Sequence, residues 1–118
     1  MTDLKPTVLQ ALSRLPARAA LSFARDEAPL PAVTVAEENV SVFARADGEP
    51  YLEEHTLSLD VYAASQGALA ALSLAADEAM TALGLRLTAA QEAFDETAYA
   101  WRKTLRYRAL VHQNTIYQ

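Results

Sequence analysis

The residues of this chain whose types could do chemistry are three pairs of adjacent carboxylates, two histidines and a closing run of arginines. Glu53-Glu54, Asp77-Glu78 and Asp95-Glu96 have the composition of general acid–base pairs. Neighbours in a strand point to opposite faces, and on a helix surface or at a turn such pairs read as solvated charge. His55 and His112 stand far apart, and neither has a histidine or carboxylate two to four residues further on, so their spacing does not indicate a metal site. Both read as exposed or strand-paired side chains. The chain has no cysteine, which excludes thiol catalysis, disulfides and cysteine–zinc sites. It also lacks G-x-S-x-G and H-E-x-x-H, and three glycines in all leave little material for a phosphate-binding loop. The expectation is a protein that is not an enzyme, with no catalytic residues, metal, cofactor or small-molecule substrate.

Arg102, Arg106 and Arg108 alternate along one face of a strand, opposite Tyr99, Trp101, Leu105, Tyr107, Ala109 and Val111. Two destinations fit this basic stripe. Its arginines can pair with acidic residues such as Asp60 or Glu54 on a neighbouring strand, where each pair contributes roughly 0.2–1 kcal/mol. Alternatively they face an acidic surface of another subunit, or DNA. Tyr51 and Tyr62 lie near a hairpin end or on the less apolar side, where an aromatic ring suits contact with a partner, whereas Trp101 and Tyr107 share the apolar face.

The elements that position these residues follow from periodicity. Ser65 is a helix N-cap and Gly84 a left-handed C-terminal residue, which bounds a helix from about Gln66 to Leu83. Within it Leu69, Leu72, Ala76, Ala79, Met80 and Leu83 fall on one stripe, and Leu85 can fold back onto Met80. Before it, Leu57, Leu59, Val61 and Ala63 alternate with polar residues, the pattern of a half-buried strand. Val33 and Val35, then Val40, Val42 and Ala44, give two further extended runs, and Asp47-Gly48 turns the chain so that residues 39–62 form a long hairpin. After the helix a strand runs from Leu85 to about Phe94, and Asp95-Glu96 turns it into the last strand, Tyr99 to Val111. Near the start, Asp3 caps a short helix bearing Val8, Leu9, Leu12 and Leu15, which Pro16 stops; Leu21 and Phe23 suit a small edge strand. The expected fold is α+β: a single antiparallel or mixed sheet of about four to five strands, one long helix packed across one face, and a short N-terminal helix.

At 118 residues the chain is read as one domain, residues 1–118, large enough to bury a core without a staple. Its start has neither a basic segment nor an apolar run, so neither export nor a membrane span is expected. A formal net charge of −5 argues against general nucleic-acid binding. Exposed strand edges make self-association a physical expectation.

Glu54-His-Thr-Leu-Ser-Leu-Asp-Val-Tyr62, the alanine-rich helix ending Ala82-Leu-Gly-Leu-Arg86, and Arg102-Lys-Thr-Leu-Arg-Tyr-Arg-Ala-Leu110 together resemble the tail-completion proteins of long-tailed phages and prophages, the tail terminators and head–tail joining proteins. In that family a strand ending in aspartate, a hydrophobic residue and an aromatic leads to a helix, a glycine turn and a closing strand of arginine, aromatic, arginine. The order matches over about the last two-thirds of the chain. The resemblance implies a structural virion protein, found in the tail or neck and in the host cytoplasm during assembly. It implies a ring homo-oligomer, commonly a hexamer, that caps the tail tube, joins it to the head connector and lets DNA pass. Its partners would be copies of itself, tail-tube protein and head-connector proteins. The residues placed at subunit or partner interfaces are then Arg45, Asp47, Tyr51, Tyr62, Arg102, Arg106 and Arg108. The alternative, from the strand edges alone, is a small dimeric α+β ligand-binding or regulatory domain, which a buried polar pocket between helix and sheet would favour.

Overall fold

A computed structural model describes the backbone at residues 3–20, 30–46, 49–112 and 115–116, with side chains except at 43–46 and 49–51. The order is α1 (Lys5–Leu12), β1 (Arg18–Ala20), β2 (Ala32–Ala46), β3 (Glu49–Ala63), α2 (Gln66–Leu83), β4 (Arg86–Asp95), β5 (Ala100–His112) and β6 (Thr115–Ile116). The fold is α+β, and among the described residues its sheet has six strands rather than four or five. The additions are the short strands: β1, parallel to β2, makes the sheet mixed, and β6 folds back on β5. The expected strand at Leu21 and Phe23 lies outside the described residues; an edge strand stands just before it, at Arg18–Ala20.

α2 has the boundaries its end signals dictate. Ser65 is extended and its hydroxyl accepts from the Ala68 N–H, while Gly84 sits at φ 96°, where a Cβ would be strained. The Leu85 N–H donates to the Met80 carbonyl at 3.1 Å, so the turn folds Leu85 onto Met80 and both are buried. Leu69, Leu72, Ala76 and Met80 are buried as their spacing requires, and Ser73 joins them; Ala79 and Leu83 are partly buried.

Strand order is β1-β2-β3-β5-β4. β3 and β4 are both antiparallel to β5, which lies between them, so they run in the same direction and α2 crosses one face of the sheet to connect them. Leu57, Leu59 and Val61 of β3 and Leu105, Tyr107 and Ala109 of β5 meet α2 on that face, and α1 joins the same core by packing on α2 and β2. Each such aliphatic side chain contributes roughly 1.5–3 kcal/mol before entropy is subtracted. Among the described residues no helix lies over the other face of the sheet.

β2 is one continuous strand, not two runs. Its register against β3 slips between Glu37 and Asn39. The slip explains why the apolar positions change from odd, Val33 and Val35, to even, Val40 and Val42, while remaining on the helix side. The hairpin accordingly begins at Ala32 rather than Asn39 and gives the molecule an elongated shape, 49 × 25 × 23 Å.

Two ends differ from expectation. α1 stops at Leu12, ahead of Pro16, and its N-cap position is Leu4; Asp3 instead accepts from the Lys5 N–H at 3.0 Å. β5 begins at Ala100, because Tyr99 takes a left-handed conformation (φ 51°) in the turn and is 81% exposed instead of lying on the apolar strand face.

Candidate functional site

The open face of the sheet is built by alternation. Residues of β5 that do not face α2 point outward, and β3 sets Glu54, Thr56, Ser58, Asp60 and Tyr62 beside them. Arg108 donates to Glu54 at 2.6 Å, Arg106 donates through Nε to Glu38 of β2 at 3.3 Å, and Arg102 lies 3.3 Å from Asp95 of β4. Asp60 accepts from the Thr104 hydroxyl at 2.5 Å rather than from an arginine. The stripe is thus a ladder of cross-strand ion pairs, with Arg106 and Arg108 still more than half exposed. Tyr62 is half-buried in this row, opposite Arg102. Burial and the neighbouring Asp60 raise its phenol above the ordinary range, against the opposing pull of the Arg102 guanidinium.

The expected interface residues divide by place. Tyr62, Arg102, Arg106 and Arg108 share the open face. Arg45 lies near the far end of the hairpin, with its side chain outside the described residues; Tyr51 is in the same position on β3, and Asp47 is outside them altogether.

The paired carboxylates are not simply solvated, which corrects the expectation drawn from adjacency. Glu53 turns inward and is buried, Asp77 accepts from the Tyr107 hydroxyl at 2.8 Å, and Asp95 holds Arg102 and accepts from the Ala98 N–H at 3.0 Å. His55 is likewise neither exposed nor paired only through its backbone. It is fully buried, its Nδ1 against Oε1 of Glu37 and its Nε2 3.2 Å from Oε1 of Glu53. The ring nitrogens thus address one carboxylate each, in a linear Glu37–His55–Glu53 chain. The carboxylates address opposite nitrogens of one ring and do not converge; among the described residues no three histidine or acidic side chains are grouped to hold a metal. Glu53 stands two residues before His55, a same-face spacing in a strand that could have signalled the contact; Glu37 could not be paired with it without knowing the slip in β2.

Tyr107 is the polar link between sheet and helix. Burial, then the hydrogen bond to Asp77 and its negative charge, push its phenol far above the usual tyrosine range.

At the β4–β5 turn Phe94 stacks edge-on with Tyr99 and Trp101, ring centres 5.5 and 5.3 Å away. At the other end of β4, a surface cavity of about 520 Å³ lies where α2 runs into β4, bordered by Thr81, Gly84, Leu87, Glu54, Arg108 and Leu110. Its walls present the Glu54–Arg108 ion pair, Arg86, the polar Thr81 and the apolar Leu85, Leu87, Ala109 and Leu110. Among the described residues no helix is long and apolar enough to cross a membrane. No protein-family model matches the chain, and no curated protein matches it either.

Proposed function

We propose that the chain is a structural virion protein, a ring-forming tail terminator or head–tail joining protein that caps the tail tube and connects it to the head. The observation that carries this reading is the arrangement of its elements: a long hairpin, a capped helix crossing one face, a glycine turn and a closing strand whose arginines line the uncovered face. That order is the one the resemblance rests on. The open face supports it further, because cross-strand pairs leave Arg106 and Arg108 neutralised yet accessible to a neighbouring acidic surface. The ring would close by a head-to-tail contact through sheet edges and the end of the hairpin that carries Arg45 and Tyr51, six copies being the expected number. Its role is assembly, without catalysis or cofactor.

The test is capture of isolated tail tubes by the purified chain, followed by negative-stain imaging. Annular density at tube ends is the expected result, and reversal of Arg106 and Arg108 to glutamate should reduce capture at least about tenfold. A chain that never associates with tube ends would overturn the reading. The outer edge of β4, unpaired among the described residues, and the adjoining cavity favour a second reading, a dimeric ligand-binding or regulatory domain; a small molecule that raises the melting temperature by filling that cavity would select it.

A further inference from the structure

β4 is an unusual edge. It is ten residues long, pairs on one side with β5, and has no strand on its other side among the described residues. Every residue from Arg86 to Phe94 is exposed on both faces, including Leu87 at 42% and Phe94 at 41%. Edge strands are ordinarily kept short or blocked with charge because their free N–H and C=O groups recruit other strands. β1, at the opposite end of the sheet, is short, with three residues.

The order of side chains along β4 indicates what covers it. The strand carries one extra residue, Thr88, at the register slip between Leu87 and Ala89, where the Thr88 hydroxyl donates to the Arg106 carbonyl at 3.2 Å. The slip sets Leu87, Ala90, Glu92 and Phe94 on the helix side and Arg86, Ala89, Gln91, Ala93 and Asp95 on the open side, as their partners on β5 require. An antiparallel register centred on Gln91 then places Arg86 opposite Asp95 of a second copy, Leu87 opposite its Phe94, Ala89 opposite its Ala93, and Ala90 opposite its Glu92. Cation meets carboxylate, aliphatic meets aromatic, and every pair agrees in face. Without the extra residue Leu87 and Phe94 would face opposite sides and this register would fail.

We propose that β4 is a self-recognition surface, pairing antiparallel with β4 of a second copy about a two-fold axis through Gln91. Leu87 packs on the Phe94–Tyr99–Trp101 cluster of its counterpart, Arg86 joins Arg102 at the opposing Asp95, and the two Gln91 amides meet at the axis. Glu92 keeps its register partner Lys103 and its contact with the Gln66 amide, 3.3 Å away. Such like-with-like contact closes on itself and is distinct from the head-to-tail contact of a ring. It does not rest on the tail-terminator reading.

A chain without native cysteine allows a direct test. Opposed residues on a two-fold axis have Cα atoms about 4.5–5.5 Å apart, within reach of a disulfide. Under mild oxidation Gln91→Cys should give a covalent dimer. Ala89→Cys should cross-link with itself at least about tenfold more slowly, since its copies lie four residues apart along the strands, about 13 Å. A mixture of Ala89→Cys and Ala93→Cys should form the mixed dimer, and Leu87→Glu should shift the otherwise unaltered chain toward monomer in sedimentation. Cross-linking of Gln91→Cys no faster than of Ala89→Cys, or a chain monomeric at every concentration, would overturn the proposal. Capture of tail tubes reads out the ring separately, so either idea can fail alone.

Discussion

Tyr107 shows how one polar atom can serve a buried position. Its ring fills the centre of the sheet while its hydroxyl reaches Asp77 on α2, so Tyr107→Phe keeps the packing and removes the link. Chemical denaturation at neutral pH should register a loss of about 1.5–3 kcal/mol, the range for a hydrogen bond to a charged acceptor. The folded phenol releases its proton less readily than the unfolded one, so its contribution is complete below about pH 10 and declines as pH rises beyond, by up to about 1.4 kcal/mol per unit. The Tyr107→Phe variant should therefore lose stability less steeply than the parent between about pH 9 and 11.5, as denaturation curves across that range would show. Ser73 is the opposite case: it is buried on α2, and its hydroxyl has no hydrogen-bond partner among the described residues. Ser73→Ala should stabilise the chain by about 1 kcal/mol, measurable as a rise of about 3–5 °C in melting temperature. His55→Leu removes the group both carboxylates address and leaves two acidic side chains in the interior. Denaturation should show a cost of about 3–5 kcal/mol, far more than loss of an exposed histidine.

At the scale of elements, the two described glycines of α2 and its cap predict effects of opposite sign. Gly84 holds a left-handed conformation, so Gly84→Ala should cost about 1–2 kcal/mol. Gly67 lies in the first turn with open space around its Cα, and Gly67→Ala should gain about 0.5 kcal/mol; melting curves of the pair separate the effects. Legibility in the sequence followed the same local logic. α2 could be read residue by residue because its cap, stripe and terminator are chemically explicit at Ser65, Leu69 to Met80, and Gly84. The pairing Arg108–Glu54 was also legible, since alternation fixes the face on which each residue stands. The slip in β2 was not, because no residue type announces an extra residue in a strand, and with it went the unity of β2 and the approach of Glu37 to His55. β1 and β6 are too short to show a period, and the conformation of Tyr99 answers to the geometry of the β4–β5 turn rather than to its aromatic character.

On the scale of the molecule, charge and topology have separate consequences. The ion pairs on the open face are solvent-exposed, and each contributes little: Arg108→Ala should cost no more than about 1 kcal/mol, and about 1 M salt should reduce even that difference in denaturation experiments. A stable fold that tolerates changes there leaves the face free to be shaped by what it meets. Topology acts through time. Because β5 fits between two strands that precede it in the chain, β3 cannot complete its pairing while β4 alone has been made, and a nascent chain must hold an open slot until the segment that fills it leaves the ribosome. Refolding should accordingly be slow for a small domain, in the range of milliseconds to seconds by stopped-flow measurement. During synthesis the waiting slot is the place where a chaperone, or a stray strand from another nascent chain, would bind first.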